Sequence, residues 1–175
     1  MNAPAHARVG QRRLIAAIAG RNASSARYDE ATANAAHSAG RIAATLGLTV
    51  LTGGLSGVME RAAEGAKSVG GTTIGIVPSS RHEDGNPFLD YILPSGIGIA
   101  RNYLLANACD FLVALPGGTG TLEEICFALD VRRPVLSWGS WEIDGVQTIP
   151  FPDEPALHNA LSELLAATLQ PQEQP

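Results

Sequence analysis

A strand that runs into a glycine-rich turn, in the middle of the chain, has the composition of an anion-binding site. Residues 111–115 are continuously apolar, which is typical of a parallel strand covered on both faces. Pro116 ends the strand, and we expect the glycines of the turn to adopt positive φ angles and to let a ligand approach the backbone. These glycines are Gly117, Gly118 and Gly120. Thr119 or Thr121 is expected to cap the following helix, whose free N–H groups and positive dipole end commonly bind phosphate.

Two other strand ends carry small and polar residues of the same kind. Residues 52–57 form a second glycine-rich corner between a strand and a helix, and Gly20 ends the first strand before a polar turn. Neither glycine run has the G-x-G-x-x-G spacing of a dinucleotide site, and neither contains the Gly-Lys-Ser/Thr of a Walker loop. The pattern therefore predicts a phosphorylated ligand the size of a mononucleotide.

These corners need a sheet that brings the ends of its strands together. Strands are predicted at residues 13–20, 49–51, 72–77, 91–93, 111–115 and 134–136. Helices are predicted at 28–46, 58–69, 97–107 and 154–169, with another after the glycine-rich turn. This alternation predicts an α/β fold, a doubly wound, mainly parallel sheet with helices on both faces. Ligands of such sheets bind beyond the carboxyl ends of the strands.

Length and composition indicate one domain of ordinary size. The chain has 175 residues, of which 45% are apolar, so a single domain is expected, with loose tails at 1–11 and 170–175. The formal net charge of −5 argues against a nucleic-acid partner. The longest N-terminal apolar run, residues 14–19, is too short for a signal peptide or a membrane span. We therefore expect a cytoplasmic protein without a membrane partner.

The cysteines and histidines do not indicate a disulfide framework or a metal site. Cys109 and Cys126 are the two cysteines, and both are expected to be buried, reduced thiols. The four histidines are scattered without the spacing of metal ligands. The sequence therefore predicts neither a metal nor a resident cofactor.

Two further segments could border the site. Residues 78–89 form a long polar loop, which is either a lid over the ligand or a plain surface excursion. Residues 141–148 contain an Asp-Gly pair, which favours a β-hairpin with a type I′ turn. Trp138 and Trp141 could stack on a base, although packing in the core or the hairpin is the more frequent use of such residues.

The glycine-rich turn also carries a family resemblance. Residues 115–124, LPGGTGTLEE, match the P-G-G-x-G-T-x-x-E signature of the LOG-type (LONELY GUY) Rossmann-like family, and the similarity extends from about residue 15 to residue 136. Several members of the family that this chain resembles split a nucleoside 5′-monophosphate into free base and ribose 5-phosphate. Within the family, residues 51–78 and 96–102 are most similar to the branch that contains molybdenum-cofactor carrier proteins.

The resemblance implies roles for particular residues. The phosphoribohydrolases of the family pair an arginine, from an Arg-Lys dipeptide, with the glutamate that ends the signature, and these positions are Arg101 and Glu124. The lysine position holds Asn102, which removes a cation from the site. The resemblance also implies that residues of the signature hold phosphate and that the second corner supports them. These residues are Gly117, Gly118, Thr119, Gly120 and Thr121, supported by Gly53 and Gly54, with Gly20, Ser24 and Asn102 as further candidates.

The implied pair suits chemistry at an N-glycosidic bond. Cleavage of this bond passes through an oxocarbenium-like state, so Glu124 would stabilise the developing positive charge or orient the attacking water. Arg101 would anchor the phosphate or the ribose. In the structural alternative, Thr121 and Glu124 form a capping box, Glu123 is a solvated neighbour, and the glycines of the second corner serve helix packing.

Two classes of function remain open. The first is a hydrolase of nucleoside 5′-monophosphates, supported by Arg101 and Glu124. The second is a non-catalytic carrier or binding protein for molybdenum cofactor or a similar phosphorylated ligand, supported by Asn102. A lysine decarboxylase, a label long attached to the family, is rejected because the single lysine, Lys67, lies well before the signature. Family members are commonly dimers, and the small apolar face of the helix at 28–46 fits a homo-oligomer, dimer or higher.

Overall fold

Strands and helices alternate along the chain in the computed structural model, which describes residues 7–9 and 12–170. The strands are β1 (Arg8–Val9), β2 (Arg12–Arg13), β3 (Ile15–Ala19), β4 (Thr49–Thr52), β5 (Thr73–Val77), β6 (Tyr91–Pro94), β7 (Phe111–Ala114), β8 (Val135–Trp138) and β9 (Gln147–Ile149). The helices are α1 (Glu30–Thr45), α2 (Val58–Ser68), α3 (Arg101–Ala108), α4 (Thr119–Asp130) and α5 (Glu154–Leu169). Short 3₁₀ helices lie at His82–Asp84 and at Gly98–Ala100, directly before α3.

Seven of the strands form one parallel sheet in the order β6-β5-β4-β3-β7-β8-β9. β3 is central, because Ala17 pairs with Leu51 of β4 on one side and with Leu112 of β7 on the other. The chain builds the sheet outward from β3 to β6, returns to β7, and then continues in the opposite direction. The predicted doubly wound α/β fold is therefore confirmed, and the carboxyl ends of β3 and β7 flank its switch point.

Helices cover both faces of the sheet, because successive strand residues point to opposite sides. On one face, α1, α2 and α5 pack on buried residues that include Ile18, Val113 and Leu136. On the other face, α3 and α4 pack on residues that include Leu51 and Leu112. The sheet is thus a closely packed support for the segments that leave its carboxyl edge.

The small apolar face of α1 packs against α2. A Cβ atom on Gly40 of α1 would collide with the backbone carbonyl of Ala62, and one on Gly65 of α2 would collide with the carbonyl of His37. The two helix backbones therefore approach closely at both points. Since this face is covered within one chain, it does not support the prediction of an oligomer.

The hairpin predicted at residues 141–148 is wrong. Val146 N–H does donate to the carbonyl of Ile143 at 3.0 Å, so a turn forms around the Asp-Gly pair. The strand that follows, however, pairs in parallel with β8, with Ile149 opposite Trp138. This pairing buries Ile149 and extends the main sheet, which a local hairpin of two exposed strands would not do.

Part of the expected N-terminal tail is ordered. β1 pairs antiparallel with β2, and Ala7 N–H donates to the carbonyl of Gly47 at 2.9 Å. Residues 7–9 therefore differ from the loose tail expected there. The remaining parts of the expected tails that lie outside the described residues are 1–6, 10–11 and 171–175.

The two cysteines have different environments. Cys109 is buried as predicted, and burial raises the pKa of its thiol to about 12, which makes it unreactive. Cys126 is exposed on α4, so the prediction that it is buried was wrong. Within residues 7–9 and 12–170, no cluster of three or more His, Cys, Asp or Glu side chains could hold a metal ion. The same residues include no helix long and apolar enough to cross a membrane.

Candidate functional site

A cleft of about 460 Å³ opens at the switch point of the sheet. Its walls come from the end of β3, the start of α3 and the start of α4. Leu55, Met59 and Pro78 close the side formed by the segments after β4 and β5. The cleft therefore lies where a doubly wound sheet places its ligand.

The N-terminus of α4 faces this cleft without a side-chain cap. The helix begins at Thr119, and its N-cap is Gly118, so neither Thr119 nor Thr121 caps it as predicted. By contrast, α1 and α5 each begin after an aspartate whose carboxylate accepts a backbone N–H hydrogen bond of the first turn. The first N–H groups of α4 have no partner within the helix, so they remain available for a ligand.

Two glycines keep the start of α4 open, although not in the way the sequence suggested. None of the three glycines of the turn has a positive φ angle, so that prediction was wrong. A Cβ atom on Gly117 would collide with Thr121. A Cβ atom on Gly118 would have no atom within 4 Å, and one on Gly120 would lie 3.6 Å from Asn102 Nδ2. Gly118 and Gly120 thus border open space that a ligand can occupy.

Arg101 and Glu124, the pair implied by the family signature, meet in the wall of the cleft. Arg101 Nη1 donates to Glu124 Oε1 at 2.9 Å, and the two residues are only 7% and 6% exposed. Arg101 Nε is buried and has no hydrogen-bond partner among the described residues. This nitrogen is enclosed by the protein, and the guanidinium is held through Nη1 by Glu124 and Asn102.

Burial has a strong effect on the carboxyl group of this pair. Loss of hydration on burial is the largest cause and raises the pKa of Glu124, nearby Glu123 also raises it and Arg101 lowers it, so that the resulting pKa is about 7. A carboxyl group with this pKa changes protonation state near neutral pH. Such a group is suited to proton transfer, but its pKa follows equally from burial in a structural site.

Asn102 connects α3 to the start of α4. Its Oδ1 accepts a hydrogen bond from Arg101 Nη1 at 2.6 Å, and its Nδ2 donates to Glu123 Oε2 at 3.0 Å and to the Gly120 carbonyl at 3.4 Å. Glu123 is therefore an accepting partner and not the solvated neighbour expected. The capping box is also absent, because Glu124 bonds to Arg101 and the helix N-cap lies at Gly118.

Gly53 and Gly54 of the second glycine corner pack on the protein and are not among the residues that line the cleft. A Cβ atom on Gly53 would collide with the guanidinium of Arg101, so this glycine makes room for the arginine. Gly54 has a φ of +76° and lies against Val77. Both residues thus support the site from behind, in agreement with the packing alternative, and neither is placed to touch a ligand in the cleft.

The turn after β3 lines the cleft with residues that the sequence reasoning missed. Arg21, Asn22 and Ser25 border it, whereas Ser24, the predicted candidate, is exposed elsewhere. Gly20 borders the cleft as well, but a Cβ atom there would also meet Val58 at 2.6 Å. The position of these residues directly after a buried strand was the signal that could have identified them.

Arg21 holds this turn to the glycine-rich turn after β7. Its guanidinium donates to the backbone carbonyls of Pro116 at 3.1 Å, Gly117 at 3.4 Å and Arg27 at 2.5 Å. These partners are neutral carbonyl groups, and no carboxylate of the described residues lies within ion-pair distance of the Arg21 guanidinium. Arg21 therefore both fixes the geometry of the cleft and adds positive potential to it.

The long polar loop at residues 78–89 is fastened to the second corner. The side-chain amide of Asn86 donates to the carbonyls of Gly54 at 3.2 Å and Leu55 at 3.0 Å. Thr73 Oγ1 donates to the carbonyl of Phe88 at 2.7 Å. Pro78 is the residue of this loop that lines the cleft. In this structure the loop is an anchored surface excursion.

Sequence comparison matches the chain to known proteins over most of its length. The profile of the SLOG cluster4 family matches residues 13–162. An uncharacterised protein of Archaeoglobus fulgidus is 36% identical over 127 residues, which are 72% of this chain and 83% of that protein. A probable cytokinin riboside 5′-monophosphate phosphoribohydrolase of Oryza sativa subsp. japonica, LOGL9, is 36% identical over 78 residues, 43% of this chain and 34% of that protein.

Comparison with solved structures also finds relatives that cover most of the chain. The molybdenum cofactor binding protein of the phototrophic bacterium Rippkaea orientalis superposes with a TM-score of 0.79 at 27% identity, covering 91% of this chain and 99% of that chain. The molybdenum cofactor carrier protein of Chlamydomonas reinhardtii superposes with a TM-score of 0.79 at 31% identity, covering 89% of this chain and 99% of that chain. The chain belongs to the SLOG cluster4 family, a LOG-type group, and it resembles the molybdenum cofactor carrier proteins.

Proposed function

We propose that this protein binds a phosphorylated, nucleotide-like or pterin-type ligand in the cleft, with the phosphate at the N-terminus of α4. The observation that carries the proposal is the uncapped start of this helix, where Gly118 and Gly120 border open space. A phosphate there accepts hydrogen bonds from the unused N–H groups and meets the positive end of the helix dipole.

Positive charge from two arginines supports the same position for the phosphate. Arg101 lines the cleft, and its Nε is a buried donor without a partner in the described part of the chain. Arg21 lines the cleft from the opposite wall and has no carboxylate partner there. Because both charges lie in a partly enclosed site, they attract an anion more strongly than surface arginines do.

Matched probes with and without phosphate test this proposal. We expect AMP to bind in isothermal titration calorimetry, and adenosine to bind at least about tenfold more weakly, since each hydrogen bond to a charged group contributes about 1.5–3 kcal/mol. Gly118→Ala should lower the affinity for AMP by at least about tenfold, because its methyl group occupies the open space. Its free energy of unfolding should stay within about 0.5 kcal/mol of native. Equal binding of AMP and adenosine would contradict the proposal.

Molybdenum cofactor, a phosphorylated pterin, is the cargo that the structural relatives favour. We expect the protein, mixed under anaerobic conditions with cofactor released from a molybdoenzyme, to retain molybdenum and pterin together through gel filtration. The Gly118→Ala variant is the control and should retain much less. Equal retention by both proteins would mean that the cofactor does not occupy this cleft.

Hydrolysis of a nucleoside 5′-monophosphate is the second candidate function, and the buried Arg101–Glu124 pair favours it. With the phosphate at α4, the Glu124 carboxylate, one turn further along the helix, would stabilise the oxocarbenium-like transition state or orient the attacking water. Arg101 would hold the carboxylate in place through its Nη1 hydrogen bond and add positive charge to the wall of the cleft. Asn102 replaces the cation that the family hydrolases carry at this position.

Release of free base from AMP and from an N6-substituted AMP separates the enzyme from the carrier. If the ionised carboxylate acts, the rate should rise with pH through about 7, the raised pKa of Glu124. Glu124→Gln should then lower the rate by about 10²-fold or more, whereas Glu123→Gln should retain most of it. Binding of AMP without any release of adenine would leave a binding or carrier protein.

We also propose that the protein is a homo-oligomer whose interface covers an exposed apolar surface beside the cleft. This surface consists of Tyr91, Leu93, Ile97, Ile99, Tyr103 and Leu104, each at least 40% exposed. It contains the edge strand β6, which a second copy can cover. Sedimentation should give a dimer or higher for the native protein and a monomer for Leu104→Glu. A native monomer at micromolar concentration would contradict this proposal.

A further inference from the structure

A second hollow lies directly beside the cleft, on the other side of the glycine-rich turn. It has a volume of about 300 Å³ and is lined by Arg21, Arg27, Pro116, Gly117 and residues 139–142. Arg21 borders both spaces, and Gly117 in the hollow is followed along the chain by Gly118 in the cleft. The wall between the two spaces thus contains the side chain of Arg21 and the backbone of Gly117 and Gly118, and it ends at the N-terminus of α4.

Trp141 presents an indole ring to this hollow. The residue is 41% exposed, and its Nε1 donates to the carbonyl of Gly118 at 3.3 Å. Trp138 differs, since it is fully buried, donates to the carbonyl of Pro150 at 2.7 Å and packs edge-to-face on Phe151. A large ring that is anchored at one edge and exposed on a face is a stacking platform for a planar ligand group.

Charged and polar residues line the hollow around this platform. The guanidinium of the exposed Arg27 forms no hydrogen bond or ion pair within residues 7–9 and 12–170, and Arg21 bonds to backbone carbonyls. Ser140 Oγ is buried and has no hydrogen-bond partner in that part of the chain. One acidic residue, Glu142, also lines the hollow. The hollow therefore suits a planar ring with polar substituents that is attached to a negatively charged group.

We propose that the hollow is a second subsite for the ligand of the cleft, and that this ligand is dinucleotide-like: two planar rings joined through a pyrophosphate. The inference rests on the proposed function, because the phosphates are placed at the start of α4, where both spaces meet. One ring then lies in the cleft and the other stacks on Trp141. The mononucleotide-sized ligand expected from the sequence would occupy the cleft and leave the hollow empty.

Two probes that differ in the second half of the ligand test the proposal. They are AMP and P1,P2-di(adenosine-5′) pyrophosphate, titrated calorimetrically into the full-length protein. We expect the dinucleotide to bind about tenfold or more tightly than AMP, as stacking of one base on an aromatic ring permits. Trp141→Ala should abolish this difference while leaving the affinity for AMP unchanged. Trp141→Phe should retain most of it, because the ring is kept although the N–H is lost.

Arginine variants and fluorescence make the test independent of a single substitution. Arg27→Ala should weaken binding of the dinucleotide and not of AMP, whereas Arg13→Ala, a charge-matched control at an exposed position in β2, should change neither. The dinucleotide, and not AMP, should quench tryptophan fluorescence in the native protein, and Trp141→Ala should remove that quenching while the buried Trp138 remains.

The outcomes separate this inference from the function on which it rests. Equal affinities for the two probes, with AMP bound normally, would overturn the second subsite and leave the proposed function intact. If Trp141→Ala and Trp141→Phe both weakened the binding of the two probes equally, the second subsite would also be overturned. Trp141 would then act only through its hydrogen bond to the Gly118 carbonyl. Failure of the native protein to bind either probe would overturn both proposals for nucleotide ligands.

Discussion

The two glycine-rich corners, residues 52–57 and 116–120, are alike in sequence and different in use. Each joins a buried parallel strand to a helix, and each helix has a glycine N-cap with no side-chain hydrogen bond. At the 52–57 corner, Val58 N–H at the start of α2 donates to the carbonyl of Arg21 at 3.0 Å. At the 116–120 corner, the start of α4 faces the cleft. The protein itself occupies one helix end, and the other remains open.

This difference shows that a glycine run indicates a close approach without identifying what approaches. The glycines of the 52–57 corner make room for protein atoms: Gly53 for Arg101, and Gly57 for the backbone after β3. The open glycines of the 116–120 corner, Gly118 and Gly120, border the cleft. Alanine substitutions therefore separate the two uses, since they cost stability at one corner and ligand affinity at the other.

The largest expected effect is at Gly57. Its φ is +73°, and a Cβ atom would collide with the backbone of Ala23 and lie 2.6 Å from the carbonyl oxygen of Arg21. Gly57→Ala should lower the free energy of unfolding by about 3 kcal/mol, from the positive φ angle together with overpacking. Urea denaturation measures this, with Gly118→Ala as the matched substitution at the open corner. A loss of less than about 1 kcal/mol would remove the contrast between the corners.

The ion pair that connects the corners should make stability depend on pH. The pKa of Glu124 is raised from 4.5 to about 7 on folding, so between these values the folded protein holds a proton that the unfolded chain has released. The free energy of unfolding should therefore fall as pH rises, by about 2 kcal/mol from pH 5 to pH 7, and level off above this range.

Glu124→Gln should remove this contribution, whereas Glu123→Gln should retain most of it. The measurement is urea denaturation at a series of pH values, taken as the difference between each variant and the native protein so that other titrating groups cancel. If the native protein and Glu124→Gln have the same slope, the carboxyl group is ionised throughout this range, and the raised pKa is wrong.

A small change in stability is expected at Gly120, and it is a stabilisation, opposite in sign to the effect at Gly57. Gly120 lies in the first turn of α4, where alanine is a better helix former and its Cβ atom meets only Asn102 Nδ2 at 3.6 Å. Gly120→Ala should raise the free energy of unfolding by roughly 0.5 kcal/mol. The same variant should bind AMP more weakly, because its methyl group borders the cleft. A stabilised variant with native affinity would place the phosphate elsewhere.

Much of the architecture could be predicted from local patterns. The continuous apolar runs and the glycines and prolines that end them placed the buried strands and the helices with errors of a few residues. They also placed the glycine corners at the carboxyl edge of a parallel sheet. These predictions succeeded because hydrophobic periodicity and chain breakers act over short stretches of sequence.

The failed predictions depended on how the chain packs in three dimensions, in some cases between distant segments and in others within a single turn. The Asp-Gly pair did form its turn, but β9 joined β8 in parallel because that pairing buries Ile149. The spacing of Thr121 was compatible with a helix cap, but its side chain packs on Gly117, and the N-cap residue of the helix is Gly118. Ser24 was chosen for its hydroxyl, and the turn that contains it directs Asn22 and Ser25 to the cleft instead.

The sequence by itself determined that this protein has a doubly wound sheet with glycine-rich corners between strands and helices, because strand and helix periods and chain breakers are local properties of the chain. Only the tertiary structure decided which corner stays open, since the start of α2 is occupied by Arg21 and Gly53 by Arg101, residues 37 and 48 positions away. It also decided the pKa of Glu124 and the exposure of Trp141, because burial and desolvation depend on the whole fold.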